Sequence, residues 1–307
     1  METANQLSLE KDWPSMKKGR RHLFIPDMQV TPETPTDHLD WIGRYIVSAQ
    51  PDVIVCIGDF ADMESLSSYD KGKKSFEGRR YLKDISAANA AMKVMMAPIH
   101  KHNKQRLKRK VKQWKPQMVM TLGNHEHRIN RAVQNDATLS GVLSTDHLNY
   151  AGQGWQVIPF LDVIEIDGVH YSHYFSNPMT GKPYGGTSID TRLKTVGFSF
   201  SMGHQQTYIT GQRFLNNGAR LRGLVCGAGY LHSEDYIGAQ GNTEWRGILV
   251  KNEVSNGSYD LTEVSLDYLC RKYEKKPLWL FMEQNYPEIF ASSTRYHRQK
   301  KEQTNEA

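Results

Sequence analysis

The 307-residue chain has few cysteines and no long hydrophobic run, and each absence excludes a class of protein. Its three cysteines, Cys56, Cys226 and Cys270, are too widely spaced for a disulfide framework or a zinc knuckle. No stretch approaches the roughly 18 consecutive apolar residues of a membrane span, and the first residues lack the apolar core of a signal peptide. No GxxxxGK[ST] sequence marks a P-loop nucleotide site. These absences predict a cytoplasmic protein that does not enter a membrane.

The rest of the composition is that of an ordinary globular protein with a basic balance. Of its residues 38% are hydrophobic and 23% are charged, and the length suits one large domain or two modest ones. The formal net charge of +6 permits an anionic partner without naming one. Part of this charge lies in residues 101–115, where eight side chains are Lys or Arg and none is acidic. We interpret this segment as a solvated helix; the alternative is a basic helix that faces nucleic acid.

Five short apolar runs end in side chains that can bind metals, which is the pattern of buried strands in an α/β sheet. Open α/β sheets bind ligands at the carboxyl ends of their strands, so we expect these side chains to meet at one edge. The runs, with the residues that follow them, are 22–26 (Asp27, Gln29), 53–58 (Asp59, Asp62), 118–123 (Asn124, His125), 169–172 (His173) and 198–203 (His204, Gln206).

Asp, Asn and His together are the ligands that a pair of divalent cations requires. Asp59 is expected to bridge the two ions, because Gly58 before it lets the backbone approach closely. His125 has a metal ligand beside it and is expected to point at a leaving group instead of a metal. His170 is the alternative to His173, which we prefer because it ends its apolar run.

In this order the five segments resemble the motifs of the calcineurin-like metallophosphoesterase superfamily: DxH, GDxxD, GNH(E/D), a lone His and GHxH. The resemblance covers about residues 21–206, and the closing hairpins suit the second sheet of the family. It implies an α/β fold, a four-layer α/β/β/α sandwich with mixed sheets. Residues 58–70 also resemble phage-encoded members, which would place the protein in the cytoplasm of a host cell.

The resemblance also implies a role for each residue of the site. Asp27 would hold the first metal, Asp59 would bridge both metals, and a metal-activated water would attack the phosphate. His125 would protonate the leaving oxygen or contact the phosphate. The second metal would be held by Asn124, His173 and His204.

Two glutamines depart from the motifs of the family. Gln29 stands where DxH has its histidine, and Gln206 stands where GHxH ends. Both histidines bind the same metal in the family, so the departures fall on one site and spare the other. We therefore expect an oxygen-rich first site and a histidine-rich second site. The implied cofactors are two divalent ions, with Mn²⁺ favoured over Mg²⁺, Zn²⁺, Fe or Ni.

The predicted function is the metal-dependent hydrolysis of a phosphomonoester or phosphodiester. Arg128 and Arg192 are candidate substrate-binding residues, the second within a Gly- and Pro-rich loop at 176–195 that we expect to be mobile. Two alternatives stay open: a nuclease or end-processing enzyme, supported by residues 101–115, and a non-catalytic scaffold of the same fold. The predicted partner is a phosphate-ester substrate, with nucleic acid as an open alternative, and the sequence does not predict the oligomeric state.

The chain is predicted to contain an arm, a domain and a tail. These are a polar N-terminal arm (1–20), a metallophosphoesterase domain (21–275) with a helical basic insertion at about 64–116, and a polar C-terminal tail (283–307) that is disordered at its end. Turns at Asp167-Gly168 and Asn256-Gly257 predict two hairpins. The predicted helices are 36–49, 83–96, 98–115, 128–143 and 208–216.

Overall fold

Two β-sheets with helices on their outer faces make up the computed structural model, which describes residues 19–186, 188–234, 237–238 and 244–304. The strands are β1 Arg20–Ile25, β2 Val53–Cys56, β3 Gln117–Thr121, β4 Gln156–Ile158, β5 Ile164–Ile166, β6 Val169–Tyr171, β7 Phe200–Met202, β8 Tyr208–Phe214, β9 Arg220–Cys226, β10 Gly247–Ser255 and β11 Ser258–Ser265. The α-helices are α1 Asp37–Ala49, α2 Tyr81–Lys108, α3 His127–Asn135, α4 Ile189–Val196, α5 Leu266–Glu274, α6 Leu278–Asn285, α7 Pro287–Ser292 and α8 Thr294–Thr304.

The first three apolar runs of the sequence pair at the centre of a six-stranded sheet. Its order is β11-β10-β1-β2-β3-β4, with β1 to β4 parallel and β10 antiparallel to β1. In β2, Ile54 and Cys56 pack with the helices, whereas Val53 and Val55 pack against the second sheet. All four side chains are fully buried, because a strand that is covered on both sides has no polar face.

The second sheet has five strands and completes the layers. Its order is β5-β6-β7-β9-β8, with β6, β7 and β9 parallel and the edge strands antiparallel to them. The predicted Asp167-Gly168 hairpin joins β5 to β6. Helix α4 packs on the outer face through Leu193, against Phe200 and Val225. With α1 and α2 outside the first sheet, the predicted four-layer α/β/β/α sandwich with mixed sheets is confirmed.

Two predictions about the later strands are wrong. Residues 208–216 are not a helix, because Tyr208–Phe214 forms β8 and pairs with β9 along its whole length. Gly211 in this strand lets Ile189 of α4 pack closely, since a Cβ at Gly211 would lie 2.3 Å from Ile189 Cγ2. The hairpin at Asn256-Gly257 forms as predicted, but it joins the first sheet through β10 and β1, and not the second sheet.

The helical insertion also differs from its prediction. The two helices predicted between residues 83 and 115 form one helix, α2, which continues through Pro98 and ends at Lys108. The Asn103 side chain binds both the backbone N–H and the C=O of Trp114 at 2.9 Å. These two hydrogen bonds fold the chain back along the last turns of the helix, so the basic segment is only partly helical.

Two other boundaries move for local reasons. The helix predicted at 128–143 ends at Asn135, because the Asp136 carboxylate accepts the N–H of Thr138 at 3.0 Å and starts a 3₁₀ turn. The loop predicted at 176–195 contains helix α4, whose first turn is capped by the Ser188 hydroxyl. None of the described helices has the length and apolar character needed to cross a membrane.

The two ends of the chain were predicted to be polar extensions. Residues 1–18 of the predicted arm lie outside the described residues. The tail is helical up to Thr304, and its Phe290 and Tyr296 side chains are buried, whereas its last residues, 305–307, lie outside the described residues. The division into arm, domain and tail stays a prediction.

The basic segment at the end of α2 lies far from the predicted site. The chain leaves this segment and enters β3 at Gln117, whereas the candidate ligands follow the other end of β3 at Gly123. Six residues of extended chain at about 3.3 Å each separate the two positions by roughly 20 Å. The segment therefore lies at the amino edge of the first sheet, opposite the carboxyl edge that carries the site.

Candidate metal centre

The carboxyl ends of five strands bring the predicted ligands together. Asp27, Asp59 and Asn124 follow β1, β2 and β3 of the first sheet, while His173 and His204 follow β6 and β7 of the second. One ligand atom from each of Asp59, His173 and His204 lies within 4.8 Å of the others. The site therefore spans the seam between the sheets, as expected from the strand pattern.

Electron-pair donors converge on one point beside Asp59. His173 donates its Nδ1–H to the carbonyl of Ile57 at 2.8 Å, which leaves its Nε2 facing the site. That Nε2 is 3.2 Å from Asp59 Oδ2 and 3.0 Å from Asn124 Oδ1, and His204 Nδ1 is 2.8 Å from the same Asn124 oxygen. A cation is the natural partner of such a cluster.

The charges of the site also favour a positive charge at this point. Burial opposes protonation of His173, but the carboxylates of Asp59 and Asp27 outweigh it and raise the pKa of His173 to about 9. Burial, together with the charge of His173, lowers the pKa of His204 to about 4. Burial also opposes ionisation of Asp59, yet the imidazoles of His125 and His173 hold its pKa below the ordinary value. The carboxylates therefore favour a positive charge beside His173.

The predicted first site contains buried oxygens without partners. Asp27 is fully buried; its Oδ2 accepts the backbone N–H of His204 at 3.0 Å, and its Oδ1 has no hydrogen-bond partner among the described residues. Gln29 donates its Nε2–H to Asp59 Oδ2 at 3.4 Å, while its Oε1 is buried and likewise unpartnered in the described part of the chain. Gln206 Oε1 accepts the hydroxyl proton of Tyr230. Unpartnered buried oxygens are costly, and a hard cation would satisfy them.

Burial raises the pKa of Asp27 to about 8; the charge of His173 opposes this shift and the charge of Asp59 adds to it. A carboxyl group in this position is therefore held close to neutrality at pH 7 unless positive charge is added beside it. Together with the orphaned oxygens, this shows that the residues of the first site fit a bound cation.

Four residues of the site have a left-handed backbone that side chains other than glycine rarely adopt. The φ angles are 49° at Gln29, 48° at Asp59, 66° at His204 and 58° at Gln206. Such conformations cost about 1–3 kcal/mol each and persist where the surroundings enforce them. Their concentration at one site is the pattern of strain stored at a functional centre.

Two glycines let the backbone approach the carboxylates. A Cβ at Gly123 would lie 2.0 Å from Asp59 Oδ1, and a Cβ at Gly203 would lie 2.2 Å from Asp27 Oδ1. Because neither contact is sterically allowed, both positions require glycine while the carboxylates stay in place.

His125 is held beside the centre by a carboxylate. Its Nδ1 is hydrogen-bonded to the Asp62 carboxylate and lies 3.1 Å from the Asp62 carbonyl, and its Nε2 lies 3.7 Å from Asp59 Oδ2. Arg128 in turn donates to the carbonyl of Asp62 at 2.7 Å and to its carboxylate at 3.1 Å. Burial opposes protonation of His125, but the charges of Asp59 and Asp62 outweigh it and raise its pKa. His125 is thus oriented and able to carry a proton.

The sequence analysis assigned no role to Glu126, which proves to be a central structural residue. Its fully buried carboxylate accepts five hydrogen bonds. The signal in the sequence was an acid directly after His125, but most of its partners come from distant segments. They are the backbone N–H groups of Asp59 (2.9 Å), Phe60 (2.8 Å), Ala61 (3.0 Å) and Gly123 (2.9 Å), and the Tyr150 hydroxyl (3.2 Å).

Three other predicted positions can now be compared with the structure. His170, the alternative to His173, stacks on Phe198 with ring centroids 4.0 Å apart and is not part of the ligand group. Arg128 lies at the centre, through its contact with Asp62. Arg192 lies on α4, is buried, and donates to the carbonyl of Gly186, so its role in substrate binding stays a prediction.

No family model matches the sequence, and none of the curated proteins compared with it is similar. Solved structures give weak similarities. Vps29 from Entamoeba histolytica, complexed with zinc, is 9% identical over 80% of this chain and 99% of its own, with a TM-score of 0.35. TT1561 of Thermus thermophilus is 9% identical over 80% of this chain and 99% of its own, with a TM-score of 0.29. GAP50, the anchor in the inner membrane complex of Plasmodium, is 12% identical over 81% of this chain and 89% of its own, with a TM-score of 0.24. Similarities at these levels concern the fold alone.

Proposed function

We propose that this protein is a metal-dependent phosphoesterase of the calcineurin-like superfamily, acting on a phosphomonoester or phosphodiester. The observation that carries the proposal is the position of the Asp59 carboxylate. Its Oδ2 lies 3.2 Å from His173 Nε2 on one side and 3.4 Å from Gln29 Nε2 on the other. Asp59 therefore stands between a histidine-rich group and an oxygen-rich group, where a bridging carboxylate is needed.

The donor set supports two ions of different character. The second site would use two imidazoles and one amide oxygen, which suit later transition metals, and the first would use oxygens, which suit hard cations such as Mn²⁺. We propose Mn²⁺ for activity. Bound divalent cations supply Lewis acidity, which makes water a nucleophile near neutral pH and neutralises charge on the phosphoryl group. The oxygen-rich site would be held by Asp27, Gln29, Asp59 and Gln206, and the histidine-rich site by Asp59, Asn124, His173 and His204.

The residues of the chain supply the proton for the leaving group. In ester hydrolysis the oxygen of water bonds to phosphorus, the bond from phosphorus to the leaving oxygen breaks, and that oxygen takes up a proton. His125 is placed to donate this proton, because Asp62 orients its ring and the nearby carboxylates favour its protonated form. Arg128 fixes Asp62 and so positions His125 indirectly.

A non-catalytic scaffold is the competing interpretation. A scaffold has no use for an oriented, proton-carrying histidine beside the ligands, and the His125–Asp62 pair therefore favours the enzyme. The strained backbone at Asp59 and His204 supports the same choice, since backbone strain clusters at active sites.

A substrate panel with added Mn²⁺ tests the proposal. The panel contains an aryl phosphomonoester, an aryl phosphodiester, a cyclic nucleotide and linear DNA. We expect His125→Ala to lower turnover of the accepted substrate by about 100- to 10,000-fold with metal content unchanged, because its role is proton donation and not ligation. His170→Ala is the matched control and should keep full activity. A metal-loaded wild-type protein that hydrolyses nothing in the panel would favour the scaffold instead.

A further inference from the structure

A groove of about 480 Å³ opens beside the proposed proton donor. One wall comes from the segment at 65–71 and the other from helix α3 and the turn that follows it. Its volume lies within the range of about 300–1,000 Å³ that is typical of small-ligand sites. It is lined by Ser65, Leu66, Ser68, Lys71, Arg128, Arg131, Ala132, Asn135, Asp136 and Leu139.

The charges of this groove are mostly positive. Lys71, Arg128 and Arg131 are its cations and Asp136 is its one acid. The Asp136 carboxylate is already engaged with Thr138, accepting the backbone N–H at 3.0 Å and the hydroxyl proton at 2.6 Å. The described residues offer no ion-pair partner to the exposed side chains of Lys71 and Arg131. Two cations therefore face the groove without a counter-charge.

The groove joins the candidate metal centre at a defined point. Arg128 lines the groove, and its Nη2 lies 3.5 Å from Nε2 of His125. That same Nε2 is 3.7 Å from Asp59 Oδ2. The groove therefore adjoins the nitrogen from which His125 would donate its proton, and a leaving group protonated there would extend into it.

We infer that this groove binds an anionic group carried by the leaving group, and that the preferred substrates are phosphodiesters whose leaving portion bears a second phosphate, the chemistry of an oligonucleotide. This inference rests on the proposed phosphoesterase function. The bond between phosphorus and the leaving oxygen breaks as water adds, His125 protonates that oxygen, and the departing nucleoside keeps its own phosphate. Lys71 and Arg131 hold that second phosphate before and during the reaction.

In this inference, nucleic acid contacts different residues from the basic segment at 101–115, which the sequence offered as the alternative nucleic-acid-binding helix. The basic residues of 101–115 lie at the opposite edge of the first sheet, roughly 20 Å from the ligands by strand rise, whereas Lys71 and Arg131 line a groove that reaches His125. The two places can be separated by experiment, because one exposed lysine and one exposed arginine can be neutralised together at each of them.

The test compares three substrates that differ only in a terminal phosphate: a plain thymidine dinucleotide and the same dinucleotide phosphorylated at its 5′ or its 3′ end. We expect kcat/KM for one phosphorylated form to exceed that of the plain form by about 10-fold, the scale of two partly solvated cation–phosphate pairs. Lys71→Gln with Arg131→Gln should bring this ratio close to one. Lys108→Gln with Arg109→Gln removes the same charge at the far edge and should leave the ratio unchanged.

A binding assay separates this inference from the function on which it rests. Titration calorimetry with thymidine bisphosphate and with the two thymidine monophosphates, each with and without Mn²⁺, reports on the groove without turnover. Binding of the bisphosphate that is tighter than that of the monophosphates, and that loses this advantage only in the Lys71/Arg131 variant, supports anion binding in the groove. This result would stand even if no ester is hydrolysed and the proposed function fails. Equal affinities, or hydrolysis of all three dinucleotides at equal efficiency, would overturn the groove while leaving the phosphoesterase intact.

Discussion

Replacing Glu126 by glutamine is the sharpest test of how the centre is held together. The Glu126 Oε2 accepts the backbone N–H groups of Asp59 and Gly123, both at 2.9 Å. Its Oε1 accepts those of Phe60 and Ala61, at 2.8 and 3.0 Å, as well as the Tyr150 hydroxyl. All five partners donate, which favours an acceptor-only carboxylate: burial raises the pKa of Glu126, and the backbone N–H groups of Ala61 and Gly123 act against that shift. Glutamine keeps one oxygen and places an NH₂ group against at least two N–H donors.

The size of the effect follows from these contacts. A hydrogen bond to a charged group contributes about 1.5–3 kcal/mol, and a buried donor left unpaired loses at least that much. Two lost bonds therefore predict a decrease of about 3–6 kcal/mol in the free energy of unfolding, a large part of the roughly 5–15 kcal/mol available to a typical domain. Tyr150→Phe is the matched control, since it removes one donor and leaves four, and it should cost no more than the roughly 1.5–3 kcal/mol of a single such bond.

Urea unfolding of wild type and both variants measures these differences, and metal analysis after dialysis reports on the site. Glu126 ties the loop that presents Asp59 to the loop that presents Asn124, so Glu126→Gln should also retain less metal than Tyr150→Phe. The reasoning fails if Glu126→Gln is no less stable than Tyr150→Phe, because the carboxylate would then not be the clamp between the loops.

Two further predictions concern the metals and the pH dependence of stability. The wild type should keep one metal ion per chain through dialysis, in the histidine-rich site, and need millimolar Mn²⁺ to fill the oxygen-rich site. Gln29→His with Gln206→His should tighten the oxygen-rich site and shift its preference towards zinc or cobalt. Two equivalents of metal surviving dialysis of the wild type would refute this asymmetry. Burial lowers the pKa of His22 from its ordinary 6.5 to about 4, so the unfolded chain binds a proton that the folded chain excludes between these values. The contribution of neutral His22 to stability is complete above pH 6.5 and falls below it. Between pH 7 and pH 4, the free energy of unfolding from urea titrations should therefore decrease by about 3 kcal/mol more in the wild type than in His22→Gln. Equal decreases in the two proteins would contradict the assignment.

Much of the fold could be predicted because its strands are short, apolar and closed by polar residues. Val53–Cys56 is covered on both faces, so a continuous apolar run is the physical signature of its position. The turn at Asp167-Gly168 encodes a hairpin locally, and the hairpin forms. Tyr208–Phe214 was mistaken for a helix because its pairing with β9 is tertiary information that the local sequence does not carry.

The candidate site could likewise be predicted only in part from the sequence. The segments that end in Asp27, Asp59 and Asn124 were recognisable because each ligand lies two or three residues after the end of its strand. The clamp made by Glu126 was not recognisable, since its donors come from segments 24 to 67 residues away as well as from Gly123. The basic groove was missed for the same reason, because Lys71 and Arg131 are distant in sequence and meet only across the fold.

We propose that the two glutamines are weak ligands and not remnants of a lost site. A site that no longer bound a cation would be expected to fill with apolar side chains, because a buried polar oxygen without a partner is costly. Among the described residues, Gln29 instead keeps a buried, unpartnered Oε1, and beside it Asp27 keeps an unpartnered Oδ1. Gln29 and Gln206 also both retain left-handed backbones, with φ angles of 49° and 58°. A bound cation would compensate for both the strained backbone and the buried, unpartnered oxygens at this point. An oxygen-rich site that binds a hard cation weakly would provide that compensation.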